Sequence, residues 1–141
     1  MEYVENLKVT SEELVALYQS VGWSAYATEP DTLSRALLGS SYWCTAREAG
    51  LIRGLVRVVS DDAVIAYVQD ILVHPSVQRR GVGRALLTRA TERFAHCRQR
   101  VLLTDDRTEQ TAFYEEMGWT RIDKVNTPKL RCFVRMPGVT Y

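Results

Sequence analysis

The run Gln78-Arg79-Arg80-Gly81-Val82-Gly83 places amide and guanidinium donors and two glycines directly ahead of a segment whose apolar residues recur at helical spacing. The first turn of a helix has main-chain N–H groups without partners and a partial positive charge, so an anion lodged there meets several donors at once. Glycine lets the anion approach the main chain without meeting a Cβ, and neighbouring guanidiniums add charge-assisted contacts. A diphosphate is the natural guest. Two other phosphate loops fail on spacing. No lysine follows either glycine, as G-x-x-x-x-G-K-[ST] demands. The third position of G-x-G-x-x-G is Leu86, and the strand before it belongs to an antiparallel run.

Other residue types that could do chemistry are sparse. Cys44, Cys97 and Cys132 are odd in number and widely spaced, which suits neither a disulfide framework nor a C-x-x-C pair. Neither His74 nor His96 has partners at metal-ligand spacing, so no metal is expected. The net charge of +1 gives no global field to gather nucleic acid or anionic membrane, although Arg79, Arg80, Arg84 and Arg89 fall close together. The segment MEYVENLKVT has acids where an export signal would be basic, and no apolar run approaches the ~20 residues of a membrane span. The expected location is the cytoplasm.

The elements that must position the corner follow from periodicity. A short strand is expected at Tyr3–Val9. A helix opens at Ser11 with Leu14, Leu17, Tyr18 and Val21 on one face and stops at Gly22, and a second runs from Pro30 to Gly39. Strands at Tyr42–Arg47, Gly54–Val59 and Ala63–Val73 form a meander, with Ser60-Asp61-Asp62 as a turn. After Gly81, Val82, Leu86, Ala90 and Phe94 make a helical stripe whose arginines face water. Val101–Thr104 reads as a strand, Glu109–Met117 as a helix ended by Gly118, and Trp119–Ile122 with Arg131–Met136 as a closing strand pair.

Ile71-Leu72-Val73-His74-Pro75, followed after two residues by Gln78-Arg79-Arg80-Gly81-Val82-Gly83, resembles the acetyl-CoA signature of the GNAT superfamily of N-acetyltransferases. The segment Ala112-Phe113-Tyr114-Glu115-Glu116-Met117-Gly118-Trp119 is similar to a second motif of that family, one residue shorter than its commonest form. The order of elements matches across nearly the whole chain. The resemblance implies an α/β (α+β) fold in a single domain over residues 1–141. Its mixed, mainly antiparallel twisted sheet of about seven strands would be flanked by four helices and splayed between strands 4 and 5.

The resemblance also implies roles. Ile71, Leu72 and Val73 would present main-chain groups to the pantetheine arm, and Gln78, Arg79, Arg80, Gly81, Val82, Gly83 and Arg84 would hold the diphosphate of acetyl-CoA, the cosubstrate. Tyr114 would give a proton to the departing thiolate. Asp70, an acid in an apolar strand, is the candidate base. If Ile71 and Val73 face the core, Asp70 faces away from it unless a bulge shifts the parity. The family's asparagine after the fifth strand is replaced by Asp105-Asp106-Arg107-Thr108, where Arg107 could serve.

The expected reaction is N-acetylation of a primary amine, with a small-molecule acceptor walled by Trp23, Tyr26, Glu29 and Asp31. The alternatives are a protein lysine or N-terminus as acceptor, or a non-catalytic acyl-CoA-binding module. No nucleic acid or membrane partner is expected. Two copies could pair through the C-terminal strands.

Overall fold

In the computed structural model, which describes residues 1–138, the chain divides into two compact units, Met1–Leu103 and Thr104–Tyr141. In the first, Thr10 rather than Ser11 opens helix α1 (Ser11–Ser20). Its hydroxyl accepts from the Glu13 amide at 3.2 Å while its own amide donates to Glu13 Oε2 at 2.9 Å, a reciprocal cap for two otherwise orphaned donors. Leu14, Leu17 and Tyr18 turn inward from α1, and Leu33 and Leu37 do so from α3 (Pro30–Leu38). Between them lies a helix the sequence reading does not contain, α2 (Ser24–Ala27). Four residues are too few for a helical period to show.

One sheet carries β1 (Glu2–Glu5), β2 (Tyr42–Glu48), β3 (Leu51–Ser60), β4 (Ile65–Val73) and β5 (Gln99–Leu102) in that spatial order, every neighbour pair antiparallel except β4 with β5. β1 ends before the expected Val9 because Asn6, at φ 54°, turns the chain. Leu55 and Leu72 meet α1 and α3 in one apolar layer. The other face of the sheet receives α4 (Val82–Arg93), which buries Val82, Leu86, Leu87 and Ala90. Arg84, Arg93 and Arg98 are exposed as expected, while Arg89 is half-buried, and two of the arginines also find partners. Arg89 lies 4.1 Å over the Tyr3 ring, and Arg93 forks onto Asp62 at 2.9 and 3.0 Å. The β3–β4 turn is tied internally as well, since Asp61 Oδ1 accepts from the amides of Ala63, Val64 and Ile65.

The second unit contains α5 (Thr108–Glu116) and a 3₁₀ turn at Ile122–Lys124. The expected strands Trp119–Ile122 and Arg131–Met136 do not form among the described residues, where one isolated bridge joins Asn126 to Lys129. Among the described residues the count is therefore five strands and five α-helices, not about seven and four. A strand needs one face packed, and here Phe133 is 91% exposed while Leu130, Val134 and Met136 are exposed with it.

Gly54 fixes how closely α4 approaches the sheet. A Cβ built there would lie 3.0 Å from Leu86 Cδ1, 3.1 Å from Val82 Cγ1 and 3.2 Å from Ala46 Cβ. Gly54→Ala should therefore cost about 1–3 kcal/mol by overpacking, read as a lower urea midpoint at unchanged slope. A midpoint equal to the parent's would show that α4 can give way freely.

Candidate active site

The corner after β4 is built from backbone more than from side chains. Pro75–Val77 form a 3₁₀ turn capped by His74, whose Nδ1 accepts from the Ser76 amide at 3.1 Å. Arg79 and Gly81 then take left-handed conformations, at φ 62° and 81°. A turn of this kind curls main-chain N–H groups toward one side. Gly81 is the residue before α4 and offers no side chain to cap it, and a helix start leaves its first amides without carbonyl partners inside the helix. A Cβ at Gly81 would meet no protein atom within 4 Å, which leaves the space beside those amides open to a ligand.

The side chains expected to contribute are placed differently from one another. Arg79 and Arg84 are exposed at the corner. Arg80 forks onto Glu48 of β2, with Nη2 2.8 Å from Oε1, and this pairing holds the Glu48 carboxyl below its usual range. Gln78 gives its amide to the Val73 carbonyl at 3.1 Å and so fastens the corner to the end of β4. Val82 is buried under the sheet, so only its main chain can meet a ligand.

Along β4 the register slips once. Arg57 of β3 opposes Asp70 and Val58 opposes Val68, leaving Gln69 as an extra residue. The bulge shifts parity as such a feature must. Ala66 and Val68 share a face with Val58, on the α4 side, whereas beyond the bulge Asp70 and Leu72 face α1 and α3. Ile71 and Val73 take the α4 side and are half-buried. β5 pairs with β4 only from Ile65 to Val68, so from Gln69 onward β4 has no strand on that side among the described residues. Ile71, Leu72 and Val73 lie on this unpaired stretch.

Asp70 is 4% exposed and, as an acid in an apolar strand can be, is paired with an arginine, in a cluster whose other members the sequence did not single out. Its Oδ2 accepts from the Tyr18 hydroxyl at 2.6 Å and from Arg57 Nε at 3.0 Å, while Arg57 Nη1 donates to Ser40 Oγ at 3.2 Å. Burial, then the Asp70 charge, pushes the Tyr18 phenol well above its ordinary pKa and keeps it a donor. Removing either member of the Arg57–Asp70 pair alone would strand a buried charge at a cost of about 3–5 kcal/mol. Both hydrogen bonds fall on Oδ2, and Oδ1, which is not among the enclosed polar atoms left without a partner, is open to solvent. The hint was Arg57 itself, a cation within the apolar strand Gly54–Val59.

Asp70 lines a cleft of about 360 Å³ where β4 and β5 part, together with Trp23, Ser24, Tyr26, Gln69 and Leu103. Tyr18, Trp23 and Tyr26 form an aromatic triangle with ring centroids 5.8–6.1 Å apart. Two of the four expected acceptor-wall residues are thus in the cleft, while Glu29 and Asp31 stand exposed outside its lining. In the second unit, Tyr114 is half-buried on α5 with its ring edge-on to Phe113 at 5.1 Å. Burial, and then the charge of Asp105, pushes its phenol up to about 12. Arg107 is engaged with Asp105 at 2.9 Å. Among the described residues no three His, Cys, Asp or Glu side chains gather as a metal site would require, and no helix is long and apolar enough to cross a membrane. Cys44 and Cys97 are buried and Cys132 is exposed, all as free thiols.

Known proteins share this fold. Residues 19–137 match the model of the acetyltransferase (GNAT) domain. A GNAT-family acetyltransferase from Streptococcus pneumoniae TIGR4 superposes with a TM-score of 0.83 at 28% identity, over 98% of each chain. An uncharacterized N-acetyltransferase, ycf52-like, from Prochlorococcus marinus is 30% identical over 117 residues, which are 81% of this chain and 64% of that relative's length. The aminoglycoside N-acetyltransferase AAC(6')-Iy, solved with CoA, shares the fold at a TM-score of 0.67 and 15% identity, over 98% of this chain and all of that one. An uncapped helix start behind an unpaired strand edge is thus found where the family model also matches, and the chain belongs to the GNAT acetyltransferase family.

Proposed function

We propose that the protein transfers the acetyl group of acetyl-CoA to a primary amine by direct attack through a tetrahedral intermediate, and that residues 1–141 act as one acetyltransferase domain. The observation that carries this reading is the parting of β4 from β5 at Gln69, with the uncapped start of α4 at the far end of the same strand. The residues present fit the cosubstrate. The open space at Gly81 and the uncapped start of α4 suit a diphosphate, with Arg79 and Arg84 exposed beside them. The CoA bound to AAC(6')-Iy, a protein of the same fold, supports this choice of ligand. Acetyl-CoA supplies an activated acyl carbon and a thiolate leaving group.

In this reading Gln78, Arg79, Arg80, Gly81, Val82, Gly83 and Arg84 bind the diphosphate, Val82 through its main chain. Ile71, Leu72 and Val73 present main-chain groups to the pantetheine. A Leu72 or Val73 N–H aimed at the carbonyl would stabilise the developing oxyanion by about 3 kcal/mol, the magnitude seen in comparable acyl transfers. An amine with pKa about 10 must lose a proton before it attacks. Asp70 takes that proton, directly or through water, and passes it to solvent. Tyr114 supplies the proton to the thiolate, and its raised pKa keeps it protonated throughout the working range.

Two outcomes check the assignments. Gly81→Val forces a β-branched residue into a left-handed conformation and fills the open space beside the helix start. It should raise the CoA dissociation constant tenfold or more by calorimetry, and an unchanged constant would move the diphosphate elsewhere. Tyr114→Phe should lower kcat about tenfold with little change in KM for acetyl-CoA. Because a raised pKa keeps the phenol protonated to higher pH, the parent's kcat should stay level to pH 10 once the amine is deprotonated. A descending limb near pH 9 that vanishes in the Phe variant would contradict the position of Tyr114's pKa.

A further inference from the structure

We infer that the cleft at the β4 bulge selects a singly charged primary amine carried on a flat or apolar body, an inference that rests on the amine-acetylation reading above. Three observations converge on this substrate class. First, Asp70 is a buried carboxylate whose Oδ2 is occupied by Tyr18 and Arg57 while Oδ1 accepts no hydrogen bond among the described residues, and the residue lines the cleft. An ammonium donating to Oδ1 would complete the carboxylate's set of partners. Oδ1 is not among the enclosed polar atoms left without a partner, so it opens to the cleft, where an ammonium can take the place of solvent as its donor.

Second, the charge of the site is already nearly balanced. Arg57, 3.0 Å from Oδ2, neutralises Asp70 at close range, and Asp70 is the one acid in the lining among the described residues. Glu29 and Asp31, which could have held further cations, stand outside it. One ammonium finds one hydrogen-bond acceptor, whereas each additional cation of a polyamine or aminoglycoside would be brought against aromatic and apolar wall with no anion to meet it.

Third, the remaining wall suits an apolar body. Trp23 and Tyr26 are 38% and 49% exposed at the cleft, and Leu103 is exposed beside them. Packing on Tyr18 and on each other ties both rings into the triangle. Such rings offer a broad face to apolar groups and a further attraction to a cation lying over them. The cleft, at about 360 Å³, is at the small end of the range for ligand sites, which favours a compact acceptor.

The test is thiol release from acetyl-CoA by the full chain with 2-phenylethylamine, n-butylamine, spermidine and kanamycin as separate acceptors. The expected result is a kcat/KM for 2-phenylethylamine at least tenfold above those for spermidine and kanamycin, with n-butylamine between. Trp23→Leu and Tyr26→Leu, each checked by its melting temperature for folding, should reduce that lead to under threefold. They should do so by raising KM for the amine while leaving KM for acetyl-CoA unchanged. Equal or better turnover of spermidine or kanamycin by the parent protein overturns this inference and leaves acetyl transfer standing. So does a lead that survives in both variants. Absence of thiol release with every amine, while calorimetry shows CoA bound, overturns the transfer reading and takes this inference with it.

Discussion

Opposite Arg57 and Val58, β4 places Asp70 and Val68 and leaves Gln69 between them with no partner on β3. Most of what the first unit offers a ligand depends on that one extra residue. Without it, the alternation that puts Ala66 and Val68 against α4 would continue through Asp70 and Leu72, and a carboxylate would be driven into the apolar layer under Leu86 and Leu87. With it, Asp70 faces α1 and α3, where a phenol and a guanidinium are waiting, and Ile71 and Val73 take over the apolar side. The β5 pairing ends at Val68, immediately before the bulge. A bulge disrupts the ladder and strengthens local twist, so the loss of the neighbouring strand and the change of face have one local cause.

The buried charge cluster is the other side of the same constraint. A carboxylate this enclosed is tolerable only when paired and hydrogen-bonded, and three elements contribute to that: Tyr18 from α1, Arg57 from β3, and Ser40 just beyond α3, which accepts from Arg57. Replacing such a pair with apolar residues is often neutral or stabilising, so its presence is weak evidence of a purely structural role. What distinguishes this cluster is its continuity with the Trp23–Tyr26 wall through the Tyr18 ring. The side chain that fixes the carboxylate also packs the aromatic lining of the cleft.

Legibility in the sequence followed the range of the interactions involved. The start of α4 behind Gly81 was readable because a glycine ahead of an apolar stripe is local chemistry, whereas the left-handed turn at Arg79 and Gly81 was not foreseen. The α4 stripe and the β2–β4 meander were readable because their periods run over many residues. The four-residue α2 gave no period, and the bulge at Gln69 has no composition of its own. Trp119–Ile122 and Arg131–Met136 alternate or run apolar as strands do, yet strand formation depends on a partner edge and a packed face, which sequence does not display. Tyr18 was read as a core residue, which it is, but its hydroxyl's partner lies 52 positions away on a different element.

The two ends of β4 thus obey different electrostatics. At the corner the cationic side chains are exposed: Arg79 and Arg84, with Arg80 held over Glu48 in a half-exposed pair. Charges in contact with solvent act over about 8 Å at physiological ionic strength, so this end can draw an anion from solution and release it as salt rises. At the bulge the charges are enclosed and matched within the protein, Asp70 against Arg57, and salt reaches them poorly. The cleft there presents the Asp70 carboxylate beside an aromatic wall. In the function proposed above, one strand would join a site that attracts by charge to a site that discriminates by contact. That division suits a reaction in which one substrate has a common polyanionic handle and the other must be chosen by its body.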